Sequence, residues 1–159
     1  MLRRWMIYTC GRCGGVVTAS APEFGLEVHE YFPLSKSVKV DVPDKPRAYL
    51  QQAIESIHAP AGAVMLAASA VDSMLKLKGY TEGSLYARIE KAVGDHLITK
   101  EMSEWAHEVR LEANDQRHAD DTAILPTVDE AKRAIDFALA LAEFIFVLPS
   151  RIQKGILNE

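Results

Sequence analysis

At 159 residues, 48% apolar and 25% charged, the chain has the make-up of one globular domain large enough to bury a real core. Its net charge of −4 excludes indiscriminate coating of nucleic acid, which needs an excess of Lys and Arg, while leaving room for a local basic patch. Arg3 and Arg4 precede an apolar run too short for a secretory segment, and the longest apolar block, residues 137–148, is broken by Glu143 and too short to span a membrane. With two cysteines in a single Cys-x-x-Cys pair, the expectation is a soluble protein of the reducing cytoplasm.

Residues 1–45 differ from the rest. Residues 8–18 place β-branched side chains on both sides of a Gly-rich turn, the pattern of a small hairpin. Residues 26–31 and 38–42 fit short strands or extended arms, and Pro22, Pro33 and Pro43 interrupt anything longer. This predicts a small β-rich or irregular lobe over 1–45, packed on a helical body over 46–159.

From Asp44 the apolar period becomes 3.6. Asp44 is placed to cap a first helix, with Pro46 in its first turn, running to about His58. Pro60 starts a second helix that Gly79 ends; its small apolar residues, Ala61, Ala67, Ala68 and Ala70 among them, let a neighbouring helix come close. Thr81, Glu82, Gly83 and Ser84 begin a shorter third helix carrying Leu85, Ile89 and Val93 on one side. Thr99 is the expected N-cap of a fourth, with Met102, Trp105, Ala106, Val109 and Ala113 facing the core.

Thr127 and Glu130 form a capping box that opens the last helix, expected to stop near Leu148 because Pro149 disfavours helix in the residue before it. That helix is apolar nearly all round after Asp136, which suits either a central position or an interface; a shared interface, hence a homodimer, is expected. The fold class is all-α: a bundle of about five helices with a small N-terminal lobe.

Cys10 and Cys13 make half a zinc knuckle, a tight turn that aims two thiolates at one point. A closed structural zinc site needs two further ligands. His29 is the nearest good one, and a second chain contributing its own pair is the alternative; a turn without metal also fits.

The densest polar stretch is residues 105–121. Arg110, Asn114 and His118 are four apart and share one helical stripe, able together to hold a phosphate. Arg117 projects about 100° away from His118 on a helix and fits the group less well. An Asn and a His so spaced also serve simply to brace the following loop. Asp72, in an apolar helix, requires a cationic partner such as Arg88 or Arg110, because a lone carboxylate there is costly; a part in the same site is the second reading.

The run 109–118, with residues 70–75 and 84–89 and the knuckle ahead of the bundle, resembles an uncharacterised bacterial domain found alone and fused to type I restriction-enzyme subunits. That domain is similar to the HEPN superfamily of helical nucleotide- and RNA-associated proteins. The resemblance implies a HEPN-like bundle and a place in bacterial defence or nucleic-acid handling. In active HEPN ribonucleases an Arg, a polar residue and a His, often paired across a dimer, cleave RNA without metal. Asn114 and His118 match the polar residue and the His, whereas the Arg slot holds Ala113. That departure argues against catalysis. The expectation is a non-catalytic accessory domain binding RNA, a nucleotide or a partner protein through Arg110, Asn114, Arg117, His118 and Asp72. The alternatives are a metal-independent ribonuclease with His118 moving the proton beside Arg110 and Asn114, and a purely structural dimerisation module.

Overall fold

The computed structural model describes residues 3–11, 14–25, 27–33, 37–118 and 124–157, and of 116–118 and 157 only the backbone. The chain falls into two compact units, Met1–Ser37 and Val38–Glu159.

The first unit is a three-stranded antiparallel sheet in the order β1-β2-β3, with β1 at Arg3–Thr9, β2 at Val16–Pro22 and β3 at Glu30–Phe32. The expected hairpin is present: Thr9 pairs with Val16, and the turn is closed by Cys10 N–H donating to Gly15 O at 2.7 Å and Gly14 N–H to Cys10 O at 2.9 Å. Gly14 takes a φ of +71° there, which a residue without Cβ adopts at little cost. Trp5 and Phe32 stack at 6.2 Å, and Arg3 bridges to Glu30 at 2.7 Å.

The second unit is helical: α1 Asp44–Glu55, α2 Pro60–Leu77, α3 Leu85–Gly94, α4 Lys100–His118, α5 Val128–Ala142 and α6 Leu148–Leu157, with a π-helical turn at Glu143–Val147 joining the last two. Residues 38–42 form an arm of this unit rather than a strand, with Val42 buried in the helical core. α2 packs against α1, α3, α4 and α5. Its alanines 63, 67, 68 and 70 are buried, as are alanines 131, 134, 138 and 142 of α5, so the two central helices meet through small side chains. Pro60–Leu77 is long and apolar enough to cross a membrane by length and composition alone; here half of it is buried among its neighbours.

The helix ends follow local chemistry. Gly79, at φ +97°, closes α2 in a Schellman motif, with Tyr80 N–H on Leu75 O at 3.1 Å and Gly79 N–H on Lys76 O at 3.0 Å. His96 takes the same left-handed position after α3, at φ +58°, with Leu97 N–H on Ala92 O at 2.9 Å. The Thr127–Glu130 capping box is formed in both directions. Ser84 caps α3 through Ala87 N–H, and Thr99 caps α4 through Met102 N–H at 3.2 Å.

Three expectations need correction. Asp44 does not cap α1: Pro43 holds the cap position, and Asp44 sits inside the first turn, paired with Arg47. Trp105 is not enclosed in the core. It keeps 36% of its surface exposed while its ring tilts onto Phe137 at 5.1 Å, as befits an indole too large to be wholly enclosed. The last helix does not stop near Leu148. The π turn re-phases the backbone hydrogen bonds, so Pro149 falls in the first turn of α6, where a missing N–H costs little, and the rod continues to Leu157.

α6 is tied to the arm by Asp41, which accepts from Ser150 Oγ at 2.7 Å and from Lys154 Nζ at 2.8 Å. The Lys154 bond, then that of Ser150, lowers its carboxyl from the ordinary 3.8 to about 2. A depressed folded-state value stabilises the fold fully above pH 3.8, and that stabilisation disappears as pH falls through about 2. In urea unfolding, Asp41→Asn is therefore expected to be less stable than the parent at pH 6, with the gap closing between about pH 4 and 2. A gap independent of pH would remove this anchor.

Candidate functional site

α2 is apolar along most of its surface but carries Ser69, Asp72, Ser73 and Lys76 at spacings of three and four, which stacks them on one face. That face forms one wall of a cleft of about 620 Å³. α3 contributes Ser84, Tyr86 and Arg88, α4 contributes Arg110, Ala113 and Asn114, and α1 adds Lys45 and Tyr49. Four cations and one carboxylate thus line the same cleft in a protein whose overall charge is negative.

Asp72 is already committed. It accepts from Arg88 Nη1 at 2.7 Å and pairs with Lys76 Nζ at 2.5 Å, and its side chain is 24% exposed against 12% for Arg88. Arg88 reaches on to Thr81 O at 3.4 Å, so the pair ties α2 to the entry of α3.

Arg110 is held differently. It is half-buried, its guanidinium lies 5.5 Å from the centroid of the Tyr86 ring, and its Nε is buried without a hydrogen-bond partner. No carboxylate pairs with it among the described residues. Tyr86 is in turn tilted against the imidazole of His107, ring centroids 4.7 Å apart, and His107 Nε2 meets Glu90 Oε1 at 2.8 Å. This places His107 on the α3–α4 seam, where it backs the ring on which Arg110 rests.

Of the residues singled out from the sequence, Asp72, Arg110 and Asn114 line the same cleft. The α4 backbone stays helical through His118, but the side chains of Arg117 and His118 lie outside the described residues. Ala113 is buried at the cleft wall. Lys45, Tyr49, Lys76 and Tyr86 escaped sequence reasoning. The polar 69/72/73/76 stripe on an otherwise apolar helix was the signal that could have found Lys76. Glu112, whose carboxyl burial pushes up while Arg133 at 4.0 Å opposes the shift, is not part of this cleft.

The proposed metal ligands are not all placed. Cys10 is at the β1–β2 turn, and Cys13 lies outside the described residues. His29 N–H donates to Ser20 O at 2.8 Å, and Ser20 is four residues along β2 from the turn-end residue Val16, roughly 13 Å by strand rise. His29 is therefore not on the Cys10 turn, and among the described residues no group of three metal-binding side chains converges.

Residues 51–158 match the family described as "Domain of unknown function (DUF4145)". The chain belongs to this family. No curated protein and no solved structure matches it. The DUF4145 match takes in the cleft walls from α2, α3 and α4, while Lys45 and Tyr49 precede it and the N-terminal sheet lies wholly outside.

Proposed function

We propose that this DUF4145 protein is a non-catalytic accessory domain that binds a phosphate-bearing ligand, RNA or a nucleotide, in the α2–α3–α4 cleft. The observation that carries this reading is Arg110: a half-buried guanidinium resting on Tyr86 with no carboxylate to neutralise it among the described residues. Keeping a cation part-desolvated and unpaired is unfavourable, and an incoming anion offsets that cost. Asn114, one turn on, supplies amide donors at the same wall. The HEPN resemblance of the α4 segment supports a setting in bacterial defence or nucleic-acid handling, in the cytoplasm.

The test is binding of labelled single-stranded RNA and of a nucleoside phosphate at several salt concentrations. Affinity is expected to fall with salt, and Arg110→Ala to weaken it by about 10-fold or more, since a charge-assisted hydrogen bond contributes about 1.5–3 kcal/mol. Salt-independent affinity, or affinity untouched in the variant, removes the reading. RNA cleavage in EDTA that His118→Ala abolishes would put the ribonuclease in its place.

The domain is further proposed to act as a homodimer. Phe144, Leu148, Ile152 and Ile156 repeat every four residues along the terminal rod and are all exposed, which suits a second copy laid against them. In such a dimer, paired Cys10 and Cys13 turns offer four thiolates to one structural zinc. Native mass with elemental analysis is then expected to give two chains and one zinc; clearly less than one zinc per two chains rules out a stoichiometric shared site.

A further inference from the structure

The charge and layout of the cleft restrict what kind of phosphate suits it, and this step rests on the anion-binding reading above. Lys45, Lys76, Arg88 and Arg110 come from four different helices and line one half-open cleft, Lys45 and Lys76 being exposed themselves, rather than running along a surface track. Asp72 offsets a single charge among them. The N-terminus of α3 opens on the same space through Ser84, whose hydroxyl takes Ala87 N–H at 3.3 Å. The preceding amides of that turn have no intrahelical acceptor, and the turn contains no acidic residue.

An internal phosphodiester brings one negative charge, to be shared among the cations, and two ester substituents that must both find room at the cleft. A terminal phosphate brings about −1.5 to −2 and a single substituent. From the cation excess and its convergence from four helices, we propose that the cleft receives a terminal phosphate or diphosphate group, the end of a chain or of a nucleotide, in preference to an internal backbone phosphate.

The experiment measures affinity of the full chain for four probes: inorganic pyrophosphate, a nucleoside 5′-monophosphate, a short single-stranded RNA with a 5′-phosphate, and the same RNA with a 5′-hydroxyl. The 5′-phosphorylated RNA is expected to bind about 10-fold tighter than its 5′-hydroxyl form, and pyrophosphate to displace it. Arg110→Gln and Lys76→Gln are each expected to shrink that ratio towards one; the second variant keeps the test valid should the first fail to fold. Displacement by the nucleoside monophosphate at the same concentration as RNA identifies a free nucleotide as the source of the group; its failure identifies an RNA end. Equal affinity for the two RNAs, both weakened by Arg110→Gln, overturns the terminal-phosphate inference and leaves the anion site standing. Absence of binding by all four probes overturns both.

Discussion

Replacing Phe137 with Ala is expected to lower the unfolding free energy of the helical unit by about 3–5 kcal/mol, with the urea midpoint falling accordingly. Phe137 heads the fully buried side chains by volume and packs against the tilted Trp105 ring at 5.1 Å. Its neighbours on α5, Ala134 and Ala138, are too short to close over the space a phenyl ring leaves, so the cavity term adds to the lost transfer energy. Phe144, two turns on and 41% exposed, supplies the internal contrast: Phe144→Ala is expected to cost under about 1 kcal/mol in a monomeric chain. Comparable losses at both positions would mean that the core is not centred on α5.

Why some of this was legible and some was not comes down to range. The helices of the second unit announce themselves through 3.6-residue periodicity, and several of their ends through residues acting over one turn: Thr99, Gly79 and the Thr127–Glu130 box. Pro149 misled for the same reason. That a proline disfavours helix in the residue before it is a local steric bias, and Leu148 nonetheless holds φ −62° and ψ −47° where the π turn at Glu143–Val147 meets the next helix. Within the cleft, partners on one helix were visible, Arg110 with Asn114, and the need of Asp72 for a cation narrowed its partner to Arg88 or Arg110. The Tyr86–His107–Glu90 seam and the place of Lys45 were not, because they depend on which helices flank α2, and no local spacing encodes that arrangement.

The Asp72–Arg88 pair separates the architecture of the cleft from its use. Arg88→Met is expected to destabilise by about 2–4 kcal/mol, since it strips the less exposed partner from a carboxylate that is itself only 24% exposed; Lys76, still present, keeps the loss below that of a fully buried pair. Lys76→Met, which removes a partner 47% exposed, is expected to cost under about 1 kcal/mol. The sharper experiment is Asp72→Asn. Removing the one carboxylate raises the positive field at Arg110, so affinity for pyrophosphate is expected to rise several-fold while the melting temperature falls. The opposite signs arise because Asp72 holds α3 against α2 and at the same time offsets part of the charge that draws a ligand in. A fall in both affinity and stability would instead make Asp72 a residue the ligand touches, and would move the binding centre from Arg110 toward α2.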